Sequence, residues 1–234
     1  MKTFVFLCLL FVTVCSAQRF PNMLDQAMNA VKKAKSSVDS VMLDLKHSQT
    51  NINFKGKNEI SNFYIQANQN INSVLKTRLD YIKEKSQEAK ESGKNAEDCL
   101  NTVTKDMKDA GQTGYNEVDT CKSIANRNFD TVLQAFDNEQ ANGQKLKNQL
   151  DQAALGCMGS SNPQQIANCI VMQVAVINVD IRQYQQRASQ LKMDAERNKN
   201  AITLQQRSCN SDAISIVQNA STKAIYAASD CLKN

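Results

Sequence analysis

The spacing of six cysteines constrains this chain more than any other feature. They stand at Cys99, Cys121, Cys157, Cys169, Cys209 and Cys231. Cys99 and Cys121 are 22 residues apart, and so are Cys209 and Cys231. Along an α-helix that separation is about six turns, or roughly 33 Å. Each pair therefore shares a helix face but cannot bond within itself, because disulfide Cα atoms must lie within ~7 Å. Between the pairs lies GCMGSSNPQQIANC (156–169), with Pro163 and two further cysteines. Cys121 to Cys157 is 36 residues and Cys169 to Cys209 is 40. The arrangement is nearly a mirror image about residue 163. Folding the chain there sets Cys157 against Cys169, Cys121 opposite Cys209 and Cys99 opposite Cys231. Six cysteines allow fifteen pairings; this one gives three nested rungs between antiparallel helices. The four-residue difference between the arms is about one turn, some 6 Å, and is assigned to slack near the bend or to an irregularity in one helix.

The residues between the cysteines ask for helix. Pro21 and Pro163 are the only prolines, glycine is scarce, tryptophan is absent and no strand-like alternation occurs. A first helix is expected over about 22–46, where Leu24, Val31, Val38 and Leu45 recur every seven residues with Ala27, Ala34 and Val41 between them. Such a seam packs helix on helix. HSQTNINFKGK (47–57) reads as a loop. A second helical region spans about 58–155, with a preferred break where Gly93 and Asn95 resemble a C-cap followed by an N-cap. A third runs from Pro163 to about Leu232, with Asn162 as its cap. On it Val174, Ile181, Ala188, Ala195, Ile202 and Cys209 keep a seven-residue interval, with Tyr184 as a core residue. Asn198 and Gln205 fall on that stripe as polar register-setting residues. Cys99, Val103, Met107, Ala110, Gly114, Val118 and Cys121 change to an eleven-residue period. Cys209, Ala213, Ile216, Ala220, Ala224, Ala227 and Cys231 do the same. That period keeps a nearly straight seam. The fold class expected is all-α: an elongated antiparallel helical hairpin, coiled-coil-like, braced by three nested disulfides, with additional N-terminal helices. Small seam residues bury little area at roughly 25 cal/mol per Å². A disulfide closing a ~15-residue loop adds about 3 kcal/mol, which is why such a hairpin is stapled.

MKTFVFLCLLFVTVCSA (1–17) has a basic start, an apolar run and small residues at Cys15 and Ala17. It reads as a signal peptide cleaved after Ala17, leaving Gln18 as the new N-terminus. Its apolar run falls short of the ~20 residues that span a bilayer. No later stretch is read as apolar enough to span, so the expected product is soluble and secreted, without a transmembrane segment. Cys8 and Cys15 leave with the leader. The six that remain form an even set in an exported chain, which implies disulfides. Zinc would need close pairs such as C-x-x-C, and none occurs. Without Lys2 the chain carries 27 basic and 23 acidic residues. Interspersed charges, as in KEKSQEAKESGK (83–94), make a solvated face. No basic block with interleaved aromatics points to nucleic acid.

Few residues of the sequence point to chemistry. His47, the only histidine, sits at the expected end of the first helix, and no Ser or Cys motif points to it as a catalytic base. No G-x-S-x-G and no phosphate-binding glycine loop occurs. Asp80 and Glu84 share a face, but a glycosidase pair would need a cleft. The expectation is no enzyme, no metal and no cofactor. Asn219-Ala220-Ser221 is one N-glycosylation sequon. Phe129, Val132 and Phe136 form one bulky cluster at ordinary core spacing.

EDCLNTV (97–103), VDTCKSI (118–124), GCMGSSNPQQIANC, QRSCNSD (206–212) and ASDCLKN (228–234) carry paired cysteines flanking a central cysteine loop. In this the chain resembles the TsetseEP-domain family of insect secreted proteins. The match covers about 95–234, which divides the chain into a leader (1–17), an N-terminal helical segment (18–94) and the braced hairpin domain (95–234). The family's Glu-Pro repeats are absent. The resemblance implies secretion into gut, saliva or haemolymph and no defined catalytic activity; the cysteines are all it carries over. The function expected is a non-enzymatic structural or interaction module whose partner is an extracellular protein or surface. The alternative is a carrier of a small apolar ligand held between helices.

Overall fold

The computed structural model describes residues 2–233, and the side chains of residues 23–233. The leader and Pro21 lie outside the described side chains. Three long helices, α1 (Lys2–Glu91), α2 (Glu97–Gly156) and α3 (Pro163–Cys231), make up the chain, with one 3-10 turn at Cys157–Gly159 after α2. No strand occurs among the described residues. The chain is all-α, and α2 and α3 run antiparallel.

The two turns follow from local chemistry. Gly93 adopts φ 68°, a conformation that costs other residues dearly. Its N–H donates to Lys90 O at 3.2 Å, and the N–H of Lys94 donates to Ala89 O at 2.9 Å. These two bonds make a Schellman motif that ends α1. The break expected at Gly93 is there, but the next helix starts later than Asn95. Ala96 O accepts from the Leu100 N–H at 3.0 Å. Ala96 is buried, so the start is set by the first apolar seam residue rather than by a polar cap. At the second turn Asn162 Oδ1 accepts from the Gln164 N–H at 2.9 Å, the expected cap ahead of Pro163.

The segment 47–57 is not a loop. α1 runs through it because its core positions are filled: Ile52 and Ile60 are buried, and between them Gly56 faces the ring of Phe129. A Cβ on Gly56 would stand 2.3 Å from Phe129 Cζ. The glycine is a notch for an aromatic ring, so its helix-breaking cost of about 1 kcal/mol is offset by packing. Gly111 and Gly114 likewise lie inside continuous helix, against Leu75 and against Val217 with Ile71.

The chain forms two compact units, 1–50 with 133–194 (unit 1) and 51–132 with 195–234 (unit 2). In each, α1 packs on the α2–α3 pair. Unit 1 keeps a seven-residue seam. Val31, Val38 and Leu45 are buried on α1; Phe136 and Leu150 on α2 and Cys157 just after it; Ala167, Val174, Ile181 and Ala188 on α3. Gly143 holds the remaining place on α2. Unit 2 keeps an eleven-residue seam. Ile60, Ile71 and Ile82 are buried on α1; Ala96 just before α2 and Met107, Val118 and Phe129 on it; Ala195, Gln206, Val217 and Ala228 on α3. A seven-residue period asks for a left-handed supercoil and an eleven-residue period for a slightly right-handed one.

The longer period on α3 therefore starts at Ala195, not at Cys209. Asn198 and Gln205 consequently face solvent, and Lys199 and Gln206 take the buried places. For the same reason Val217, Ser221 and Ala228 are buried where Ile216, Ala220 and Ala227 were expected. The seam points between two neighbouring helices, not at one. In sequence register, unit 1 sets Cys157 with Cys169 and Glu139 with Arg187. Unit 2 sets Cys121 with Cys209, four residues further along α3. The four-residue difference thus enters between the Glu139–Arg187 and Cys121–Cys209 levels, not as slack at the bend, where Cys157–Cys169 keeps the same register as Glu139–Arg187.

Candidate functional site

Three bridges are the most constructed feature of the molecule. Cys99–Cys231, Cys121–Cys209 and Cys157–Cys169 have Cα atoms 5.8, 5.8 and 5.7 Å apart, inside the normal range. All three are the pairs expected from the cysteine spacing. Cys121, Cys157 and Cys231 are buried, while Cys99 lies on an exposed face. Cys99 is therefore no seam residue: Leu100 beside it is buried.

Unit 2 contains a polar strip that sequence reasoning missed. Lys199, Thr203, Gln206 and Asn210 are buried on α3 at helical spacing. Gln206 Nε2 donates to Ile60 O at 2.9 Å, and Asn210 Nδ2 donates to Phe63 O at 3.1 Å. Lys199 Nζ lies 3.2 Å from Glu196 and 3.7 Å from Glu59. Asn53 Oδ1, Gln206 Oε1 and Asn210 Oδ1 are buried with no donor in reach, and such an acceptor costs about 1–3 kcal/mol. The strip was invisible because apolar periodicity does not register polar residues, although Thr203, Gln206 and Asn210 keep the same three-and-four spacing. Further along, Arg78 Nε donates to Ser221 Oγ at 2.5 Å.

Unit 1 has its own buried polar group. Tyr184 is fully buried, as expected, and its hydroxyl has no partner. Gly143 makes room for it: a Cβ there would meet Tyr184 Oη at 2.6 Å. Burial, with the Glu139 carboxylate adding to it and Arg187 opposing, pushes the phenol up to about 12. The tyrosine is an inert core residue at neutral pH.

The other singled-out residues fall on ordinary ground. His47 is exposed in mid-α1 and not at a helix end, since no loop follows it. Asp80 and Glu84 face solvent. In the aromatic cluster Phe129 and Phe136 are fully buried core residues. Asn219 is exposed on α3, while Ser221 of its sequon is buried. Among the described residues no group of three His, Cys, Asp or Glu side chains is placed to hold a metal ion.

Two grooves bear on the ligand question. One in unit 2, about 140 Å³, is lined by Val103, Met107, Ala220, Ala224 and Ala227 with Asp106 and Lys223 at its edge. Small-molecule sites are commonly 300–1,000 Å³, about twice that or more. The other, about 500 Å³, lies beside the Cys157–Cys169 bridge and carries Gln149, Gln152, Gln173 and Asp180. With Ala153 and Ile177 also in its lining it is half polar, and it is open to solvent, unlike an enclosed apolar carrier cavity.

One sequence expectation needs correcting. α3 contains an 18-residue stretch with mean hydropathy 1.2, long and apolar enough to cross a membrane by length and composition, and only 28% of it is buried. The cause is legible: residues 163–179 contain no charged side chain, and the outward face there is apolar as well as the inward one. No family model, curated protein or solved structure matches the chain.

Proposed function

We propose that the chain is exported after loss of its leader and works as a non-enzymatic, disulfide-braced interaction module. The setting proposed is an extracellular fluid such as gut, saliva or haemolymph, as in the TsetseEP-domain family it resembles; a role in defence fits the same reading. The observation that carries it is the pairing of all six cysteines of the exported chain across α2 and α3. Disulfides persist in oxidising compartments and are rare in reducing ones. Gln, Asn and Lys-rich outer faces, with the apolar residues mostly spent on helix seams, support binding over chemistry. The limited apolar groove volume weighs against a carrier.

Expression of the full sequence in cultured insect cells tests export. A secreted species with the mass of residues 18–234 is expected; a chain retained with its leader or held in the membrane fraction overturns it. Cross-linking in a native secretion then separates the two roles. Captured protein or surface components support an interaction module. A stoichiometric apolar molecule in the organic extract establishes the carrier instead.

A further inference from the structure

α3 carries two heptad seams in unit 1, and only one is used. The inner seam is Ile170, Val174, Ile177, Ile181, Tyr184 and Ala188, all buried. The outer seam is Met172, Val176, Val179, Gln183, Gln186, Gln190 and Met193, with steps of four and three throughout. It is displaced by two residues, about 200° around the helix, so it points away from the core. Met172 and Val176 are each 66% exposed, Met193 52% and Val179 46%. Not one of its residues is charged.

The charges lie on its flanks, and their order selects a partner. One flank reads Gln173, Asp180, Arg187, Asp194; the other reads Ala175, Arg182, Ser189. Such flanking positions set partner and orientation in paired helices. In an antiparallel pair each flank meets its own copy. Asp180 then stands opposite Arg187 of a second chain, and Arg187 opposite its Asp180, once on each side of the two-fold axis. Arg187 is 51% exposed while its Nε bonds Glu139 of the same chain at 3.0 Å. Arg182, alone on the other flank, is tied back to Asn178 O of its own helix at 3.3 Å. A parallel pair would instead set Arg182 against Arg187. A lipid surface fits less well, since interfacial helices carry a Lys/Arg-rich polar face and this one alternates in sign.

We propose that the outer face of α3 from Met172 to Met193 is a self-association surface, on which a second copy of this chain docks antiparallel about a two-fold axis with reciprocal Asp180–Arg187 contacts. An isologous contact of this kind closes on itself and stops at a dimer. The inference adds to the functional reading above without depending on it: self-association is read on the purified chain, whereas that reading is tested in secretion and in native fluid.

The test is sedimentation velocity on residues 18–234 with all three disulfides intact. A concentration-dependent dimer is expected, weakened at least ~10-fold by Val176→Glu, with helicity and thermal unfolding unchanged because Val176 is mostly exposed. Asp180→Arg sets arginine against arginine across the axis and Arg187→Asp sets aspartate against aspartate, so each alone is expected to be monomeric, and an equimolar mixture to form a heterodimer. A wild-type chain that stays monomeric at about 0.1 mM overturns the proposal. So does a dimer indifferent to Val176→Glu, a mixture of the two charge variants that stays monomeric, or co-sedimentation of the wild type, and not of Val176→Glu, with phosphatidylcholine vesicles.

Discussion

Glycine means opposite things at different positions of this chain. At Gly56 an added methyl group would collide with the Phe129 ring, and overpacking a core costs about 1–3 kcal/mol. At Gly156 nothing lies within 4 Å and φ is −61°, so alanine fits and gains about 0.5–1 kcal/mol. Urea denaturation is expected to show Gly56→Ala less stable and Gly156→Ala more stable, with Phe129→Leu restoring part of the loss in the Gly56→Ala background. Tyr184 supplies a pH dependence. Its phenol is raised to about 12 in the folded chain by burial first and Glu139 second, against an ordinary value near 10. The neutral form is the one the fold favours, so its contribution is fully present below about pH 10 and is lost as pH rises through about 12. About 2–3 kcal/mol is at stake over that window. Alkaline denaturation of Tyr184→Phe beside the wild type is expected to show the variant losing less stability above pH 10. At neutral pH it should be equal or better, because the hydroxyl it removes has no partner.

At the scale of the element, the hairpin and its rungs could be read from sequence because cysteine spacing is discrete. So could the break at Gly93, where one residue type answers one backbone need. Segment 47–57 could not: what makes Gly56 helical is Phe129, far along the chain, and no local pattern announces it. Lys199 and Gln206 were hidden for a related reason. Continuing the seven-residue count past Ala195 lands on Asn198 and Gln205, one residue short of the true seam. The change of period also bears on redox behaviour. Cys121–Cys209 and Cys99–Cys231 close loops of 88 and 132 residues, each stabilising by about 4–5 kcal/mol in the chain-entropy account, less when nested; the 12-residue Cys157–Cys169 loop gives about 3 kcal/mol. Unit 2 therefore loses more on reduction and retains its undonated buried acceptors. Hydrogen exchange with and without reductant is expected to show residues 195–231 losing more protection than 163–194. An equal loss in both would contradict this accounting.

For the molecule as a whole, covalent connection is uneven. All three bridges lie in the part of the chain formed by α2, α3 and the turn between them, and residues 23–91 contain no cysteine. Among the described residues the backbone leaves the helices near 92–96 and near 157–162, and proteases cut where backbone is exposed and irregular. The bend carries its own bridge, so a chain severed there stays in one piece. A cut after Lys94 leaves residues 23–94 attached by contacts alone, including the bond from Lys94 Nζ to Leu232 O, which would then hold only a fragment end. Limited trypsin digestion without reductant should release that fragment under denaturant while the remainder migrates intact. Proteolysis would thus cut the first helix free of its covalent tie long before it broke up the stapled pair, and what survives would be a shorter, tougher remnant.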